Sequence, residues 1–214
     1  MLKCVVMTLT GFLSGSVMYA YLIPKLFRRV DIRQRSEDGN PGVANVFASS
    51  GIAVGAGCLV LDLAKAFVPV FISVQVLNIR GLYLAPVIVA PVLGHAFSPF
   101  LWFKGGKAVA ASVGALLGSV TVSKVVVALL FFLILFKLVI VINPDSAKSI
   151  LAYTCAFLTS LVMEPQPGVK IAVFLISLVV CYKHYVNPNK GDLSIAIWRY
   201  SVVCEDKKFK FIKS

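Results

Sequence analysis

Seven apolar stretches follow one another along this chain, at about residues 4–24, 51–79, 82–103, 108–120, 122–142, 149–163 and 169–186. Nothing else in the sequence limits its fold so strongly. A helix needs about 20 apolar residues to cross a bilayer, where no water is present to bond exposed backbone groups. The fourth and sixth stretches are shorter than that, and the fourth reads as a half-span. The apolar fraction is 59% and the charged fraction 14%. A soluble domain is nearer 45–50% and about 25%. The sequence therefore predicts an all-α polytopic membrane protein with about seven transmembrane helices. The first stretch runs on to Lys25, Arg28 and Arg29 with no small-residue cleavage site, so it reads as a span and not as a removable signal.

Basic residues set the orientation. Fifteen lysines and arginines fall on one side of the spans, in loop 24–50, at Lys104 and Lys107, at Lys148 and in the tail from Lys183 onward. Lys3, Arg80, Lys124 and Lys170 fall on the other, while Lys65 and Lys137 lie within spans. This bias places the N-terminus outside and the C-terminus in the cytoplasm. It also gathers the three polar, glycine-bearing segments on one face: Arg33–Ser50, Lys104–Ala111 and Lys183–Asp192. The chain divides into a membrane domain, 1–190, and a basic tail, 191–214. In the tail Ile195, Trp198 and Val202 suggest an apolar face, with Lys207, Lys208, Lys210 and Lys213 nearby to meet anionic lipid.

Residues 39–45 hold the turn formers Gly39, Asn40, Pro41, Gly42 and Asn45, so this segment is a loop. Residues 104–107 read Lys-Gly-Gly-Lys. Paired glycines admit close backbone approach, and two ammonium groups before a helix start at about Ala108 favour a phosphate. His95 is nearby. This is not a Walker A loop, because Leu101 stands where a glycine is needed and Ala108 where Ser or Thr is needed. His184 and Asn187, three apart, share a helix face. Asp62 and Lys65 are ionisable groups inside a span, where mutual pairing is the expected state. The five cysteines, Cys4, Cys58, Cys155, Cys181 and Cys204, show no metal-ligand spacing, and neither a metal nor a cofactor is expected.

These segments, in this order, resemble the PlsY family of bacterial acyl-phosphate:glycerol-3-phosphate acyltransferases, from about Gly15 to Asn187. The family's GSGNxGATNxxR aligns with Glu37-Asp38-Gly39-Asn40-Pro41-Gly42-Val43-Ala44-Asn45-Val46-Phe47-Ala48. Its GHxFxxFxxFKGGKGVAT is followed almost throughout from Gly94 to Ala111. Its HxxN is matched by His184 and Asn187, and its LDxxK by Leu61, Asp62 and Lys65. The resemblance implies a multi-pass protein of the bacterial cell membrane. It implies acyl transfer from an acyl phosphate to the 1-hydroxyl of glycerol 3-phosphate, giving lysophosphatidic acid and phosphate. Lys104, Gly105, Gly106, Lys107 and His95 would bind the donor phosphate. The loop of Asp38, Gly39, Asn40, Gly42 and Asn45 would face the acceptor. His184 and Asn187 would orient the hydroxyl, with His184 as general base. Membrane lipids and a soluble acyl-phosphate-producing enzyme are the implied partners, and no nucleic acid is.

Such a donor already carries a good leaving group, so no covalent nucleophile is needed. The sequence fits: it shows no Ser-His-Asp set and no HxxxxD, since Asn189 and Phe100 stand five residues after its two histidines. It departs from the family at Asp38, Ala44 and Ala48, which replace Ser, Thr and Arg, and at Ala108 and Ala111, which replace Gly and Thr. The Ser and Arg of the family help bind the acceptor phosphate. After HxxN, Pro188, Asn189 and Lys190 replace arginines. These changes leave open a different acceptor, or an inactive membrane scaffold. A transporter is disfavoured by the lack of an internal repeat. We predict from the basic bias that a cysteine at position 3 labels in intact cells, whereas one at position 208 labels only after permeabilisation.

Overall fold

The computed structural model describes residues 1–213 except Glu37, Lys190, Trp198, Arg199, Asp206 and Lys207, and describes side chains as far as Ile197. It is mostly helical. Among the described residues, five helical segments are long and apolar enough to cross a membrane: Leu2–Arg28, Ile52–Val76, Gly81–Leu101, Asp145–Met163 and Pro167–Val186. Two shorter apolar helices, Val109–Gly118 and Val125–Val139, accompany them. The stretch at 149–163 thus gains a further turn from Asp145, whose carboxylate suits a helix start. That at 122–142 loses length, because its helix ends in a π-turn at Leu135–Val139 and passes into a strand.

The first span breaks into α1 (Leu2–Ser16) and α2 (Tyr19–Arg28). A break inside a membrane frees carbonyls that must find donors. Ser98 donates its hydroxyl to the Ser16 carbonyl at 2.6 Å. Lys65, from α5 (Ile52–Phe71), reaches the Val17 carbonyl at 2.5 Å and also ion-pairs with Asp62 at 2.8 Å. Both charged groups are buried. The intramembrane pair thus plays a local structural part, supplying the donor that lets the first span bend.

Glycines four apart bring the backbones together, as in close membrane helix pairs. A Cβ at Gly15 would strike the backbone of Pro91, and one at Gly94 the carbonyl of Phe12, which locks α1 against α6 (Leu84–Ala96). Gly114 and Gly118 on α7 (Val109–Gly118) meet Leu63 and Phe67 of α5 in the same way. The core, including Val70, Ile88, Val92, Leu116 and Ile176, lies among α5, α6, α7 and the last helix.

Two small helices, α3 (Ile32–Arg35) and α4 (Val43–Ser50), flank the loop at 36–42. After α8 (Val125–Ile134), strand β1 (Ile140–Asn143) leads into α9 (Asp145–Met163) and then α10 (Pro167–Val186). The tail adds strands to this otherwise helical fold. β2 (Ser194–Ile197), β3 (Tyr200–Glu205) and β4 (Lys208–Lys213) extend β1 into an antiparallel sheet of order β1-β2-β3-β4. Asn143 is in register with Ser194, and Ile195 with Val202. Trp198 and Lys207, of the expected lipid-facing group, lie outside the described residues.

Removing one partner of a buried ion pair costs about 3–5 kcal/mol. We therefore predict that Lys65→Met lowers stability by about that much in detergent unfolding titrations. Asp62→Leu combined with Lys65→Met should lose less than the two single changes together. Strict additivity would show that the two charges are not coupled.

Candidate functional site

Three distant segments converge on the Lys107 ammonium. Its Nζ lies 2.8 Å from Asp38 Oδ2 and 2.8 Å from Asn189 Oδ1. The side chains of Lys107 and Asp38 are only 8% and 6% exposed, so the pair is shut away from bulk water. Asp38 Oδ1 accepts from the Asn40 backbone N–H at 3.1 Å and the Asn45 amide at 2.9 Å. Asn45, in the first turn of α4, also donates to the Asn40 carbonyl, which ties the loop to that helix. Gly39 sits there with φ +62, as a tight turn needs. Gly42 caps α4 from extended backbone. Burial alone would push the Asp38 carboxyl up, but Lys107, the Asn40 N–H and the Asn45 amide hold it below the usual carboxylate range. Asp38 is charged at neutral pH.

The second loop is folded back on α6. The last carbonyls of a helix lack intrahelical donors. Here the Gly106 N–H donates to the His95 carbonyl at 3.1 Å, and Lys183 donates to the carbonyls of Ala96 and Gly105, each at 3.0 Å. A Cβ at Gly105 would strike the His95 carbonyl, and one at Gly106 the His95 ring. The Gly106 N–H is thus used within the fold, and both glycines also serve close packing. His95 is buried beneath them, its Nδ1 unpartnered among the described residues. Lys104 stands at the exposed tip beside Trp102 and Phe103, and its side chain makes no hydrogen bond or ion pair among the described residues.

The last turn of α10 supplies the remaining groups. His184 is buried, and neither of its ring nitrogens has a partner among the described residues. It lies within electrostatic reach of Lys107, Asp38, Asp145 and Lys148. Asn187 ends that helix, half-buried. Asn189 is fixed from the other side, since its N–H donates to the Ser146 hydroxyl at 2.9 Å. Asp38, Asn40, Asn45, Lys107 and His184 therefore gather into one region. Asp62 and Lys65 lie at the break in the first span, where Lys65 is within electrostatic reach of His95.

Two contributors are not evident from the sequence. Lys183 reads there only as an orienting charge, although a lysine next to a histidine at a span end is an available signal. Asn189 reads only as a lost arginine.

The loop is also strained. Trp102, Phe103 and Ala108 all have positive φ, between 53 and 63. A residue with a Cβ loses about 1–2 kcal/mol in that conformation. Ala108 stands where the resembling family has glycine, so its backbone takes the shape a glycine would hold without cost. We predict that Ala108→Gly raises stability by about 1 kcal/mol, read as a higher unfolding midpoint in detergent.

Residues 5–191 match the sequence model of the glycerol-3-phosphate acyltransferase family. A glycerol-3-phosphate acyltransferase of Macrococcus caseolyticus is 33% identical over 187 residues, covering 87% of this chain and 92% of that protein. One from Endomicrobium trichonymphae is 34% identical over 177 residues, covering 82% and 85%. The crystal structure of PlsY, an integral membrane glycerol 3-phosphate acyltransferase, in its glycerol 3-phosphate form, superposes with a TM-score of 0.76 at 29% identity. That match covers 86% of this chain and 89% of PlsY. The lysophosphatidic acid form of PlsY superposes with a TM-score of 0.74. With its spans, its three converging segments and these relatives, the chain belongs to the glycerol-3-phosphate acyltransferase family and is an integral membrane acyltransferase.

Proposed function

We propose that the protein transfers a fatty acyl group from an acyl phosphate to the 1-hydroxyl of glycerol 3-phosphate in a bacterial cell membrane. The products are lysophosphatidic acid and inorganic phosphate. The observation that carries this reading is the buried Lys107 ammonium, met by two other segments and placed just before the start of α7. An ammonium beside a helix N-terminus suits a phosphoryl group. Lys104, at the exposed tip of the same loop, adds a second cation that an incoming phosphate can recruit.

The step balances without a covalent enzyme intermediate. The acceptor oxygen bonds to the acyl carbonyl carbon, the bond from that carbon to the phosphate oxygen breaks, and phosphate leaves with its electron pair. His184 takes the hydroxyl proton, a role open to a buried imidazole whose nitrogens have no partner among the described residues. Asn187 orients the acceptor beside it. Lys107 and Lys104 stabilise the charge that grows on the departing phosphate, which is positioning and electrostatic catalysis. The acyl chain lies among the spans. An apolar groove between α1 and α6, about 500 Å³ and lined by Leu9, Phe12, Val89 and Leu93 among others, offers room for one.

The test is purified protein with palmitoyl phosphate and a panel of acceptors, followed by mass spectrometry of the lipid products. Glycerol 3-phosphate should be acylated. Lys104→Ala, Lys107→Ala and His184→Ala should each lower kcat/KM by about a hundredfold or more while helicity is retained. Selective acylation of another acceptor would reassign the substrate. No acylation of any acceptor would support a scaffold.

A further inference from the structure

We propose that Asp38 is a built-in anion that holds the phosphate position on Lys107, so that a substrate phosphate binds only by displacing it. The inference rests on the phosphate-binding reading of Lys107 given above. Asp38 Oδ2 stands where a phosphoryl oxygen would sit, 2.8 Å from the ammonium. Two anions cannot share one buried ammonium cheaply, because their charges repel at close range. The burial of both side chains closes Lys107 off while Asp38 is seated.

The loop that carries Asp38 is tied to Lys107 through one carboxylate oxygen. It is a short connection between α3 and α4, turned at Gly39. Among the described residues its carboxylate is held by one ammonium, one backbone N–H and one amide. When phosphate takes the ammonium, the two Oδ1 contacts are what still hold the carboxylate among the described residues, and the loop, without its tie to Lys107, opens more often. Lys107 would keep its contact with Asn189, which comes from a separate segment fixed to Ser146. The ammonium therefore stays in place while the anion is exchanged.

This arrangement lowers the apparent affinity for phosphate, because only the fraction of molecules with Asp38 displaced can bind it. It also selects for charge: a phosphate dianion competes for the ammonium better than a carboxylate of single charge. Asp38 is thus a specificity-determining residue that the resembling family, with serine at this position, lacks.

Inorganic phosphate is the probe. Its binding to purified full-length protein in detergent is measured calorimetrically for the wild type, Asp38→Asn and Asp38→Ser. Asparagine keeps an oxygen for the Asn40 and Asn45 contacts, and serine supplies a second, smaller test should asparagine disturb the fold. Both variants should bind phosphate at least tenfold more tightly. Amide hydrogen exchange gives an independent readout. Phosphate should speed exchange at Asn40 in the wild type and leave it unchanged in Asp38→Ser. Equal or weaker phosphate binding by the variants overturns the displacement of Asp38 alone. No phosphate binding by any of the three overturns the phosphate reading of Lys107, and the displacement with it.

Discussion

The Lys183 ammonium, seated between the carbonyls of Ala96 and Gly105, is the contact on which the site depends. It closes the open end of α6 and pins the glycine loop against it in one step. Only then does the chain arrive at Lys107 with its ammonium pointing inward to Asp38 and Asn189. A second buried lysine does similar work elsewhere in the bundle, where Lys65 answers the Val17 carbonyl at the break in the first span. The same physics explains both. Where a helix stops within a low-dielectric interior, its last carbonyls require donors, and a long side chain from a neighbouring helix can bring them.

That rigidity lets the loop tolerate unfavourable backbone. Trp102, Phe103 and Ala108 hold positive φ within seven residues. Strain of this kind persists where surrounding contacts over-determine the chain, and it gathers at functional sites. The contacts here are the Gly106 N–H on the His95 carbonyl, the Lys183 clamp, and the α7 start that follows Ala108 directly. The strain and the clamp therefore belong to one design. The clamp fixes the path of the loop, and the path places Lys107.

Much of this is legible in the sequence because its signals are local. Apolar runs mark the membrane helices, and the residues quoted for the family resemblance include Asp38, Asn45, Lys107 and His184, which the fold gathers together. What escapes depends on partners far away in the chain. Nothing local tells that Gly105 must be small because the His95 carbonyl lies against it, or that Lys183 reaches back to Ala96. The broken first span is hidden because α1 and α2 are both apolar and the break lies at Val17 and Met18, two ordinary apolar residues. The pairs Gly11–Gly15 and Gly114–Gly118 are visible as small residues four apart, but their spacing alone names no partner helix. The tail strands are obscured by short alternating segments that an apolar-face reading treats as a single surface.

Asn189 and Ser194 are each held in place by a separate part of the chain. Asn189 binds Lys107 and Ser146, and Ser194 is in register with Asn143. The family match stops at residue 191, so β2 begins just beyond the part of the chain shared with relatives. It is nonetheless close in sequence to Asn189 of the site. The sheet therefore begins within a few residues of the amide that steadies the Lys107 ammonium, so the anchoring of the tail and the seating of the site draw on the same short piece of chain.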